Sequence, residues 1–119
     1  MDQGNEIRVE TRGSVTLFEI RGDVTVVSEP FLKEAYKNAS QEGGIKSLLL
    51  KFDQNAYINS GGIAVLIQIL SETKRNNQQV VITGLSDHFK KIFNMVGITK
   101  FAKIYGSVDE ALKALPDDV

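Results

Sequence analysis

The stretch that most constrains the fold of this chain is an unbroken passage from strand to helix. Ile45-Lys46-Ser47-Leu48-Leu49-Leu50-Lys51-Phe52 carries three consecutive leucines, the pattern of a strand covered on both faces. A short polar loop follows and ends on Asn59-Ser60-Gly61-Gly62. An apolar helix begins at once with Ile63-Ala64-Val65-Leu66. A serine at such a junction lies near unpaired backbone N–H groups and the positive end of a helix dipole. It can cap the helix, or it can carry a phosphate that the helix end helps to hold.

The rest of the chain falls into place around this unit. Ile7–Glu10 and Val15–Ile20 alternate like strands, and Arg12-Gly13-Ser14 between them suits a hairpin turn. Ser28-Glu29-Pro30 reads as a helix start, with Phe31, Leu32, Ala35, Tyr36 and Ala39 on one face and Gly43-Gly44 as the stop. The helix after Ser60 runs to about Arg75 and ends at Asn76-Asn77; its inward stripe is read as Ile63, Leu66, Ile67 and Leu70. Val80-Val81-Ile82 is a fourth strand. Ser86 caps a third helix with Phe89, Ile92, Phe93 and Val96 inward, and Gly97 ends it. Phe101–Tyr105 is a fifth strand, and Ser107 caps a last helix with Ala111, Leu112 and Leu115. Two leading strands followed by helix–strand alternation predict an α/β domain with a mixed sheet. Residues 1–119 read as a single domain, with 1–5 and 116–119 frayed.

Composition removes most chemistries. There is no cysteine and a single histidine, His88, so thiolate and paired-histidine metal sites and Ser-His-Asp or Cys-His arrangements are unsupported. His88, in the first turn of a helix, reads as a surface residue. Asp109-Glu110 and Asp117-Asp118 lie at a helix start and in the tail, where dipole complementation and solvation account for them. Gly61-Gly62 lacks the lysine and glycine spacing of a phosphate-binding loop. A net charge of −1 with interspersed signs gives no nucleic-acid footprint. No apolar run approaches the ~20 residues of a membrane span, so membrane insertion is not expected. Nothing points to a cofactor or metal. The expectation is a small cytoplasmic protein that is not an enzyme.

Two features of the central helix remain to be assigned. Gly61 and Gly62 either allow a close backbone approach or keep the loop bare, so that a kinase reaches Ser60. Val65 and Ile69 lie one turn apart, off the stripe read as inward, flanked by Gln68 and Glu72. Either another helix covers them or they form a partner surface beside the serine.

With these elements in order, the chain resembles the STAS domain family, specifically the bacterial anti-sigma factor antagonists. The carrying segments are Leu17–Gly22, Leu48–Phe52, Tyr57–Leu66, Phe93–Ile98 and Tyr105–Leu112. The third is similar to the family's Asp-Ser-Ser/Thr-Gly-Leu-Gly-Val-Leu. The resemblance implies a STAS-like α/β fold: a mixed five-stranded sheet with about four helices mainly on one face. It implies that Ser60 is the phosphorylation site, within a loop of Asn59, Gly61, Gly62 and Thr25. The partner implied is an anti-sigma factor with serine kinase activity, bound while Ser60 is unmodified and released on phosphorylation; Val65 and Ile69, from their place on the helix, are the expected partner-binding residues. Three positions depart from the pattern: Asn59 stands where aspartate is usual, Gly61 replaces a second Ser/Thr, and Thr25 replaces the turn aspartate. They leave a second reading open, a STAS scaffold or ligand-binding module that is not switched by phosphorylation.

Overall fold

The computed structural model describes residues 5–115; the expected fraying of 1–4 and 116–119 lies outside the described residues. Asn5, placed with the frayed N-terminus by the sequence reading, is instead buried. Its side-chain amide donates to the carbonyls of Arg21 and Asp23, both at 2.8 Å.

The chain opens with the hairpin of β1 (Glu6–Arg12) and β2 (Val15–Arg21). Its turn is the pair Gly13-Ser14, with Gly13 at φ +60° and Ser14 at negative φ. That is the two-residue loop with a left-handed first residue, whose twist matches the strands it joins. Then follow α1 (Glu29–Glu42), β3 (Ser47–Phe52), α2 (Ser60–Arg75), β4 (Gln79–Thr83), α3 (Asp87–Met95), β5 (Lys103–Ile104) and α4 (Val108–Ala114). The sheet order is β1-β2-β3-β4-β5. β1 is antiparallel to β2, and all later neighbours are parallel.

Alternation along the strands divides the core between the two faces of the sheet. Phe18, Ile20, Leu48, Leu50, Phe52, Val80 and Ile82 join Leu32 and Tyr36 of α1, the inner face of α2, and Phe89 and Phe93 of α3. On the other face Val15, Leu17, Leu49 and Val81 meet Ala111 and Leu115 at α4. Three helices thus cover one face and α4 the other, which is why the Leu48-Leu49-Leu50 run is apolar without a break. The five-stranded mixed sheet and the four α-helices are those expected.

Several boundaries differ for local reasons. β5 has two residues rather than the five of Phe101–Tyr105. After Gly97 (φ +85°) the chain winds into a 3-10 turn, Ile98–Lys100, and the amides of Phe101 and Ala102 bond back to the Ile98 carbonyl. Val96, expected inward, caps the C-terminus of α3 and is exposed; Phe31, expected on the inner face of α1, is also exposed. Ser86 and Ser107 cap α3 and α4 as read, accepting from the amides of Phe89 and Glu110. Ser28 does not cap α1: its hydroxyl accepts from the Thr25 amide at 3.0 Å, inside a 3-10 turn at Val26–Ser28.

Candidate functional site: the Ser60 loop

The site lies at the C-terminal ends of β2 and β3, where the loops 22–28 and 53–59 are stitched together. The Val24 amide donates to the Tyr57 carbonyl at 2.9 Å, and the Asn59 amide donates to the Val24 carbonyl at 3.2 Å. Two carboxylates add to the seam. Asp23 Oδ1 accepts from the Tyr57 amide and Asp53 Oδ2 from the Gly22 amide, each at 2.9 Å. Val24 is fully buried between the loops. Backbone groups that a loop would otherwise leave to water are thereby paired, and the segment entering α2 is held in place.

Asn59 is the cap of α2. Its backbone is extended, and its Oδ1 accepts from the Gly62 amide at 2.9 Å. Ser60 is therefore the first helical residue, not the cap. It is exposed, and its hydroxyl makes no hydrogen bond among the described residues. The choice that the sequence left open, cap or free hydroxyl, is settled by the residue before it.

Gly62 is required by close approach. A Cβ there would stand 2.1 Å from the Val24 carbonyl oxygen. At Gly61 a Cβ would stand 3.2 Å from the Val26 amide nitrogen and 3.3 Å from Val26 Cβ, tight but not impossible. Neither glycine needs positive φ. Thr25 caps the 3-10 turn, its hydroxyl accepting from the Val27 amide at 3.1 Å while Ser28 returns the bond to the Thr25 amide. Thr25, Asn59, Gly61 and Gly62 are thus brought together around the start of α2.

Val65 and Ile69 are not. They are 2% and 5% exposed and belong to the main core, which corrects the expectation that they form a partner surface. The buried face of α2 is Gly62, Val65, Leu66, Ile69, Leu70 and Thr73, while Ile63 and Ile67 are only partly covered. Both stripes have helical spacing and share Leu66 and Leu70, so periodicity alone did not choose between them. Packing against the loop at Val24 did.

The exposed apolar residues beside Ser60 lie elsewhere. Val26 and Tyr57 are 61% and 59% exposed, and Val27 is exposed as well. Val26 packs at the first turn of α2 opposite Gly61, and the Tyr57 ring meets Phe89 edge-on with centroids 6.0 Å apart. The sequence did hold a signal for them: Val26-Val27 is an apolar pair in a loop, between a capping threonine and a helix-starting Ser-Glu-Pro.

The candidate site is thus an exposed serine in the first turn of α2, on two loops joined by backbone hydrogen bonds and flanked by exposed apolar residues. The chain belongs to the STAS domain family, which it matches over residues 6–111. The anti-sigma-B factor antagonist of Staphylococcus aureus (strain NCTC 8325 / PS 47) is 22% identical over 94 residues, covering 77% of this chain and 86% of the relative. The crystal structure of an anti-sigma factor antagonist from Mycobacterium paratuberculosis superposes with a TM-score of 0.78 at 18% identity, covering 95% of both chains. The Bacillus cell fate determinant SpoIIAA in its phosphorylated form superposes with a TM-score of 0.65 at 12% identity, covering 91% of this chain and 97% of that one. At these identities the two structures establish the fold.

Proposed function

We propose that this chain is a cytoplasmic anti-sigma factor antagonist, a binding protein rather than an enzyme. It binds an anti-sigma factor with serine kinase activity while Ser60 is unmodified and lets go when Ser60 is phosphorylated. The observation that carries this reading is the release of the Ser60 hydroxyl from capping. Because Asn59 holds the Gly62 amide, Ser60 is exposed and its hydroxyl is unbonded among the described residues, as a kinase substrate needs. The names of the relatives point the same way. The surface we assign to the partner is Val26, Val27 and Tyr57, in place of the buried Val65 and Ile69.

Charge explains how one group switches binding without unfolding the domain. A phosphate on Ser60 adds roughly −1.5 to −2 charges at the start of α2, where the helix dipole and free N–H groups favour an anion. At the partner surface the same charge is desolvated beside Val26 and Tyr57. Residues 22–32 and 52–73 contain no lysine or arginine to pair with it. A hundredfold loss of affinity asks about 2.8 kcal/mol of this one group.

The test mixes wild type, Ser60→Ala and Ser60→Asp with the kinase-type anti-sigma factor of the same host and ATP, and reads intact mass and affinity. Wild type gains one phosphate, Ser60→Ala gains none and still binds, and Ser60→Asp binds about a hundredfold more weakly. Wild type that binds but takes up no phosphate refutes the switch and leaves the unswitched STAS module, the reading that Asn59, Gly61 and Thr25 favour.

A further inference from the structure

β1 is the longer of the two edge strands of the sheet. It pairs with β2 alone, and among the described residues no other backbone group bonds to it. The hairpin fixes which of its groups face outward. With the two-residue loop Gly13-Ser14, Arg12 and Val15 are the hydrogen-bonded pair that closes the turn. Alternation then directs the even residues of β1 to β2. Ile7, Val9 and Thr11 aim their N–H and C=O groups at the empty edge.

Side chains follow the same period. Ile7 and Val9 stand across from Ile20 and Phe18 on the face covered by α1. Glu6, Arg8, Glu10 and Arg12 share the other face, in strict alternation of sign. Within one copy Glu6 stands across from Arg21 and Arg8 from Glu19, and Glu19 also reaches Lys51 at 3.5 Å. The open face thus carries an alternating field that stops at the edge.

We propose that β1 pairs antiparallel with β1 of a second copy of this chain, about a two-fold axis through Val9, joining the two sheets into one. In that register Val9 meets Val9, and Ile7 meets Thr11 of the second copy, as hydrogen-bonded pairs. Glu6 meets Arg12 and Arg8 meets Glu10 of the second copy as non-hydrogen-bonded pairs, where side chains approach most closely. All four charges of each copy face the opposite sign. A slip of two residues keeps the hydrogen bonding but sets Arg8 on Arg8, or Glu10 on Glu10, with Glu6 on Glu10 or Arg8 on Arg12 beside it. A slip of one residue turns outward groups against inward ones. Charges that merely block an edge need only one sign; these reject the two-residue slips, and a slip of four leaves only three residues of each strand paired.

The edge is also partly apolar. Val9 is 47% exposed and lines the groove between β1 and α1 together with Phe31, and the second copy covers it. The bond from Arg12 to Glu10 at 2.8 Å runs along the strand and leaves both side chains exposed, available to the opposite strand. A seven-residue strand pair is a small interface, so association depends on concentration. The antiparallel arrangement puts the two copies of Ser60 at opposite ends of the dimer, which leaves both sites open.

Sedimentation velocity of the whole chain, from micromolar to millimolar concentration, tests this. Wild type shifts from monomer to dimer across the series. Arg8→Glu sets two carboxylates against each other at both symmetry-related contacts and weakens the dimer about tenfold or more. Adding Glu10→Arg restores opposite signs between copies while leaving the introduced carboxylate across from Glu19 within each copy. The double variant therefore regains the dimer although its fold gains nothing, and melting by circular dichroism confirms that both variants are folded. A wild type that stays monomeric throughout, an Arg8→Glu variant that dimerises as wild type does, or a folded double variant that fails to regain the dimer overturns the proposal.

Discussion

Replacing Gly62 with alanine is the sharpest probe of how the site is built. A helix interior favours alanine over glycine by about 1 kcal/mol, so on propensity alone the change stabilises. Geometry opposes it, because the new Cβ would stand 2.1 Å from the Val24 carbonyl oxygen, against the ~3.5 Å of an unstrained contact. The start of α2 or the 22–28 loop must therefore move by more than an ångström. That oxygen accepts from the Asn59 amide, and Asn59 in turn caps the Gly62 amide, so the shift strains two hydrogen bonds at about 1 kcal/mol each. With an overpacking cost of about 1–3 kcal/mol and the propensity gain subtracted, the net loss is about 2–4 kcal/mol. For a domain of this size that lowers Tm by about 10 °C. Gly61→Ala is the internal control. Its Cβ meets Val26 at 3.2–3.3 Å, a few tenths of an ångström of adjustment that the propensity gain offsets, and its stability should stay near that of wild type. Thermal and urea unfolding followed by circular dichroism compares the three proteins. A Gly62→Ala variant as stable as wild type would refute the close-approach account of the loop.

Two further predictions concern the core. Leu49→Ala and Leu66→Ala, on opposite faces of the sheet and both fully buried, should each cost about 2–5 kcal/mol in urea unfolding; a silent change at either would contradict the two-sided core. Val65→Asp places a carboxylate in the main core without a partner, costing several kcal/mol or abolishing folding. A folded variant with near-normal stability would return Val65 to the surface.

The framework was legible because its signals are local and redundant. The Leu48-Leu49-Leu50 run could only be a strand covered on both sides, and Ser86, Ser107 and Gly97 mark their helix ends by chemistry that needs no tertiary partner. The failures occurred where a backbone group had two possible partners. Phe101–Tyr105 is largely apolar and aromatic like a strand, yet the amides of Phe101 and Ala102 are already bonded to Ile98 by the turn that Gly97 starts. Ser28 has the neighbours of a helix cap, Glu29 and Pro30, but the Thr25 amide three residues upstream captures its hydroxyl. Thr25 itself stands where the family resemblance places an aspartate, and the structure uses it as a cap.

The misplaced face of α2 and the exposure of Ser60 have a common origin. Gly62 is missing a side chain because the Val24 carbonyl occupies that space, so the side of the helix on which Gly62 lies must be the packed side. Three, four, seven and eight residues on from it come Val65, Leu66, Ile69 and Leu70, the stripe that is buried. Ile63, one residue and about 100° around the helix from Gly62, is only partly covered. Ser60, two residues and about 200° away, is turned toward solvent. Taken as an approach glycine rather than as a means of keeping the loop bare, Gly62 fixes the rotation of the whole helix. That rotation buries the residues expected at the partner surface, and it leaves the serine hydroxyl free for chemistry while Asn59 holds the helix end.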